Sequence, residues 1–212
     1  MRIGFLLMMV VCSESFPFTR PNSGIFGGSE VHPPFSYPWM AMIHTRTSQT
    51  QATFCGGTLL DRETILTAAH CVDMATSPQV VMAQLHRHNR SRSAREENGF
   101  VTGIRAIHIH PEWDRNKLVN DYAILKLSNP SPYDSQVLLD DGKASTPGTW
   151  VRALGWGRMK EQQPAETLQQ ANLQIYPSKK CESLLGGFES RVELCAGTDE
   201  GDENICLGDS GG

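Results

Sequence analysis

The sequence predicts an all-β fold built from short strands, as a barrel or a sandwich. Two observations carry this. Short runs rich in Val, Ile, Thr and aromatic residues recur along the chain, separated by Gly, Pro, Asn and Ser. No internal repeat and no long helical periodicity competes with them.

The strand-like runs, in order, are ATFCGGTLL (52–60), VVMAQL (80–85), FVTGIRAIHI (100–109), YAILKL (122–127), WVRALGWG (150–157), LQQANLQIY (168–176) and VELCAG (192–197). One helix is expected at SKKCESLL (178–185), with Ser178 as its cap. The Pro- and Ser-rich SNPSPYDS (128–135) is the expected linker between two halves, about 28–130 and about 131–212.

Composition bounds the function. Of 212 residues, 39% are apolar and 20% charged, which suits a globular chain rather than a disordered one. The net charge of −4 and the lack of a Lys/Arg stripe argue against nucleic acid as a partner. Met1-Arg2 followed by the apolar IGFLLMMVVC (3–12) and the small polar Ser13 and Ser15 reads as a secretory signal peptide over 1–15. The apolar run is too short to span a bilayer, and no later stretch is long enough, so no membrane partner is expected. Cleavage removes Cys12 and leaves Cys55, Cys71, Cys181, Cys195 and Cys206. In an oxidising compartment these pair, and an odd count leaves one over. Asn89-Arg90-Ser91 is an N-glycosylation sequon. HRH (86–88) and HIH (108–110) are read as a polar loop and a half-exposed strand, not as a metal site.

The chemistry lies in GDSGG (208–212). A serine is a weak nucleophile without a base, a group that orients the base, and donors for the oxyanion. Flanking glycines permit a tight turn and close substrate approach. The same G-x-S-x-G spacing marks the elbow of α/β-hydrolases, in which acid and histidine follow the serine. Here the partners precede it: LTAAHC (66–71) supplies His70 and NDYAILKL (120–127) supplies Asp121. The order His, Asp, Ser is that of chymotrypsin.

At these residues the chain resembles the chymotrypsin/trypsin family of serine proteases. IFGG (25–28), FCGGTLL (54–60), LTAAHC, NDYAILKL, ALGWG (153–157) and GDSGG occur in the family's order. The resemblance implies a chymotrypsin-like double β-barrel and a secreted endopeptidase acting on proteins or peptides. Ser210 would attack, His70 would move the proton, and Asp121 would orient His70; the N–H groups of Gly208 and Ser210 would form the oxyanion hole. It also implies Cys55–Cys71 and Cys181–Cys195 bridges, each worth about 3 kcal/mol in the chain-entropy model. No cofactor is expected, and calcium is not, since HNRSRSAREENGF (88–100) lacks clearly matching ligands. Proteinaceous inhibitors are expected partners of a monomer.

The resemblance further implies a zymogen: residues 16–24 would be a propeptide, and a freed Ile25 ammonium would pair with Asp209. The family usually carries Arg or Lys before that Ile, where this chain has Gly24. The base of the specificity pocket, two residues before Cys206, is Asn204, which offers hydrogen bonds but no charge and does not support tryptic specificity. Family members continue for several tens of residues past the serine motif, supplying the closing strands and the partner of Cys206. The 212 residues are therefore expected to be C-terminally incomplete, to fold poorly alone and to have little protease activity. The competing reading is a non-catalytic homologue acting as a protein-binding module.

Overall fold

The computed structural model describes residues 28–48, 50–135, 137–142, 145–158, 163–198 and 209–212. The strands are β1 (Ser29–Glu30), β2 (Met40–Arg46), β3 (Ala52–Asp61), β4 (Thr64–Thr67), β5 (Val81–Leu85), β6 (Phe100–Ile109), β7 (Ala123–Leu127), β8 (Trp150–Gly155), β9 (Gln169–Ile175) and β10 (Ala196–Gly197). One helix, α1, covers Ser178–Leu184.

Six strands close into an antiparallel barrel in the order β2-β3-β4-β7-β6-β5. Closure leaves these strands no open edge. Its interior follows the period-two pleat: Ala41 and Ile43 of β2, Leu59 of β3, Ile65 of β4, Val81, Ala83 and Leu85 of β5 and Leu125 and Leu127 of β7 form one buried cluster. A second sheet is built on β9, which pairs with β8 along Trp150–Gly155 and with β1 and β10.

The two parts meet across β2. Its other set of side chains, Met40 and Met42, packs with Val31, Leu154, Trp156 and Leu168. Both faces of β2 are thus buried, which removes the polar alternation that marks a strand in a sequence. This is why β2 escapes the sequence reading, as do the short β1 and β4. Three hydrogen bonds to backbone carbonyls reinforce the contact: Trp156 Nε1 donates to His88 O at 2.8 Å, Leu168 N to the same oxygen at 2.9 Å, and Arg90 N to Glu166 O at 2.7 Å.

Two local expectations change. The run 192–197 forms a strand only at Ala196–Gly197, because Val192 N and Glu193 N are turned back onto Glu189 O. Ser178 is the first residue of α1 rather than its cap; the cap is Pro177, and no side chain caps the helix. The expected linker begins docked on the barrel: Ser131 N donates to Arg62 O at 2.7 Å and Arg62 Nε donates back to Ser131 O at 2.8 Å.

Two disulfides are present, Cys55–Cys71 between β3 and the segment after β4, and Cys181–Cys195 between α1 and the residue before β10. The Cys55–Cys71 bridge spans 16 residues. Its loss in a Cys55→Ala/Cys71→Ala variant is expected to cost about 3 kcal/mol, read as a lower midpoint in urea unfolding.

Candidate active site

The barrel register brings two of the expected residues together. β4 and β7 are antiparallel neighbours with Thr67 opposite Ala123. Three residues past Thr67 is His70, in a 3-10 turn over Ala69–Cys71; two before Ala123 is Asp121. Both therefore emerge at the same end of the same strand pair. His70 Nδ1 lies 2.6 Å from Asp121 Oδ2, and the His70 backbone N–H donates to Asp121 Oδ1 at 2.8 Å. An ionised carboxylate only accepts, so Nδ1 carries the proton in this pair and Nε2 is left as the acceptor of a neutral ring. Asp121 is buried, while His70 is partly open to solvent.

The serine segment sits on the rim of the same barrel. Gly56 N donates to Ser210 O at 2.8 Å, and that carbonyl lies 3.9 Å from Cys71 Sγ, next in sequence to His70. Gly211 adopts φ +83, and a Cβ there would meet Thr67 Oγ1, Gly56 O and Ala68 N. Only glycine fits such a backbone approach. Thr67 Oγ1 donates to Gly56 O at 2.8 Å and keeps that seat in place.

Asp209 is 5% exposed. Its Oδ1 accepts the Gly157 N–H at 2.7 Å, and Cβ atoms on Gly155 or Gly157 would collide with its carboxylate. The ALGWG run thus serves two ends: Trp156 fills the interface core and the flanking glycines make room for Asp209. Ile25, Asn204, Cys206 and Gly208 lie outside the described residues.

The sequence reading missed a brace beside His70. Asp73 accepts from Arg115 Nε at 2.8 Å and from Trp113 Nε1 at 3.0 Å, tying the segment after His70 to the loop that leads into Asp121. Burial pushes the Asp73 carboxyl up, but the Arg115 and Trp113 hydrogen bonds outweigh it and hold the group below the usual carboxylate range. No local motif announces this contact, because its partners are 40 and 42 residues apart.

The histidine pairs are engaged elsewhere. His86 is stacked between Phe35 and Tyr133 at centroid distances of 4.3 and 4.8 Å, and His88 Nε2 lies 2.9 Å from Glu30 Oε1. His108 is exposed on β6, and His110 Nδ1 accepts the Glu112 N–H at 3.2 Å. Among the described residues, Cys55, His70 and Cys71 come within metal-ligand range of one another. The two sulfurs are joined in a disulfide and offer no thiolate. At Asn89, Oδ1 accepts the Ser91 N–H at 2.8 Å, and Ser91 is exposed.

Comparison with known proteins places this arrangement. The family model described as Trypsin matches residues 25–212. The chain is 31% identical to chymase of Mus musculus over 193 residues, covering 89% of this chain and 74% of that protein. It is 34% identical to coagulation factor XI of Bos taurus over 203 residues, covering 92% of this chain and 31% of that protein. Mast cell protease 8 of Mus musculus is 29% identical over 210 residues, covering 97% and 81%. A solved structure of GrC superposes with a TM-score of 0.71 at 27% identity, over 82% of this chain and 76% of that one. The mostly-strand architecture, with its closed barrel and second sheet, agrees with that likeness. The chain belongs to the trypsin family of serine proteases.

Proposed function

We propose that the protein is a secreted serine endopeptidase, made as a zymogen, that cleaves peptide bonds through an acyl-enzyme. The observation that carries this reading is the buried Asp121 carboxylate, which grips both His70 Nδ1 at 2.6 Å and the His70 backbone N–H at 2.8 Å. That double grip fixes ring orientation and tautomer, the two things a general base needs from its partner. The Ser210 backbone, anchored on Gly56 beside Cys71, supports the same reading.

In this mechanism Ser210 Oγ attacks the scissile carbonyl as its proton passes to His70 Nε2. Asp121 balances the resulting imidazolium charge. His70 then gives the proton to the leaving amine, and a water repeats the sequence on the acyl-enzyme. The Gly208 and Ser210 N–H groups receive the oxyanion; losing one such donor costs about 2.7–4 kcal/mol of transition-state stabilisation. Activation frees the Ile25 ammonium to pair with Asp209, whose carboxylate is already buried and held by Gly157 N–H. Asn89 accepts an N-linked glycan in the secretory pathway.

The test is labelling of the secreted protein with a fluorophosphonate, with the new N-terminus read in parallel. We expect labelling that Ser210→Ala abolishes, and an N-terminus at Ile25. A folded, processed protein that never labels would overturn the catalytic reading and favour a protein-binding homologue.

A further inference from the structure

We propose that Asp73 is a positioning residue of the reaction: its carboxylate locks the segment that carries His70 to the loop that carries Asp121, and so sets the fit between the two. The role rests on the proteolytic reading of His70, Asp121 and Ser210. Asp73 acts through His70 and Asp121 rather than on the substrate.

The His70 side of this lock is rigid. Cys71 is joined to Cys55, and Val72 is buried in the barrel core. Val72 N and Asp73 N both donate to Ala69 O, at 3.0 and 2.9 Å, and close a turn around His70. Asp73 therefore stands on backbone that the core holds in place.

The Asp121 side is looser and strained. Residues 115–118 are exposed, and Leu118 and Asn120 hold φ of 56° and 55°, in the left-handed region. Residues other than glycine keep that conformation where their surroundings impose it. Asn120 is next to Asp121, so relaxation there would re-aim the Asp121 carboxylate. The loop is tied to itself: Asp114 and Val119 pair as an antiparallel bridge, and Asn120 Nδ2 donates to Glu112 O at 3.0 Å. A group that fixes residues 113–115 therefore also fixes Asn120.

Asp73 is that group. Its Oδ2 accepts Trp113 Nε1 at 3.0 Å and Arg115 Nε at 2.8 Å, while Oδ1 accepts a second Arg115 N–H. A carboxylate that takes two guanidinium bonds holds angle as well as distance. The Asp73 side chain is 11% exposed, so water competes little for these bonds. Burial pushes the carboxyl up, but the bonds from Arg115 and Trp113 outweigh it and keep an ionised acceptor at neutral pH. The contact so protected is short: His70 Nδ1 lies 2.6 Å from Asp121 Oδ2. Misplacing a catalytic group by about 1 Å can cost about a hundredfold in rate.

The experiment measures the rate of fluorophosphonate labelling of the activated secreted protein against probe concentration. Asp73→Ala is expected to lower the maximal rate about tenfold and to move the half-saturating concentration less than about twofold. Trp113→Phe removes one of the bonds and should lower the maximal rate about threefold. The Asp73→Ala/Trp113→Phe variant should be no slower than Asp73→Ala, because that bond is already gone. Arg105→Ala removes an ion pair with Glu63 at the other end of β4 and should label like the native protein. Circular dichroism confirms that the variants are folded. In parallel, proton NMR follows solvent exchange of the His70 Nδ1–H, which needs no turnover; it should be at least about tenfold faster in Asp73→Ala. Native labelling rates in Asp73→Ala, a change confined to the half-saturating concentration, or additive losses in the double variant would each overturn the role of Asp73. A native protein that never labels would sink the proteolytic reading instead. The NMR result then decides on Asp73 alone, and unchanged exchange overturns the lock.

Discussion

Asp121→Asn is expected to lower kcat about 10⁴-fold, the size of the effect of this acid-to-amide change in enzymes with this triad. The structure shows why an isosteric change would do so much. Asp121 Oδ1 accepts the His70 backbone N–H at 2.8 Å and Oδ2 faces His70 Nδ1 at 2.6 Å. An asparagine must keep its carbonyl on the backbone N–H, since an NH₂ there would set donor against donor. Its NH₂ then faces Nδ1 and can only donate, so Nδ1 loses its proton and Nε2 gains it. A ring protonated at Nε2 cannot accept the Ser210 proton. Kinetics on a peptide substrate, with fluorophosphonate labelling slowed in parallel, check this. The thermal midpoint should move little, because the amide occupies the same buried space. A variant that keeps more than a tenth of native kcat would remove Asp121 from the mechanism.

Removing the buried Glu97 is expected to destabilise the fold strongly. Arg87 and Glu97 form a buried pair, with side chains 4% and 3% exposed. Glu97 also accepts the N–H groups of Asn89 at 2.7 Å and His88 at 3.2 Å. Glu97→Ala leaves the guanidinium buried without its counter-charge, which costs about 3–5 kcal/mol. For a chain of this size that lowers Tm by roughly 6–20 °C. Calorimetry of Glu97→Ala measures it. An Arg87→Met/Glu97→Leu double variant should recover part of the loss, because no charge is then left unpaired while the Asn89 and His88 N–H groups still lack their acceptor.

The same carboxyl sets a pH dependence. Burial pushes Glu97 up, but Arg87 and the two backbone N–H groups outweigh it and hold the group below its ordinary value. A depressed folded-state pKa stabilises fully above the unfolded value, about 4.3. That contribution is lost as pH falls through the folded-state value. Native stability should therefore drop on acidification below about pH 4.3, and the drop should be shallower in Glu97→Ala.

Much of the architecture was legible in the residues. β3, β5, β6, β7 and β9 fall on runs rich in β-branched and aromatic residues, where strand preference and turn chemistry agree. β2 was not legible, because Ala41 and Ile43 enter the barrel while Met40 and Met42 enter the interface, and a strand buried on both faces carries no alternation. The Ser178 cap was misread because capping depends on backbone geometry at one residue, and Pro177 occupies that place. His70, Asp121 and Ser210 could be picked out because each lies in a short run with a recognisable order, while the Asp73–Trp113–Arg115 brace could not. By itself, then, the sequence determined the all-β class, the family and the chemical types at the candidate site, since these rest on local composition and on motif order. Only the tertiary structure decided which groups touch: the β4–β7 register that faces Asp121 to His70, the seat of Ser210 on Gly56, and the burial that turns Arg87 and Glu97 into a stability element. Contact across tens of residues is set by strand pairing and packing, and no local pattern in the chain encodes it.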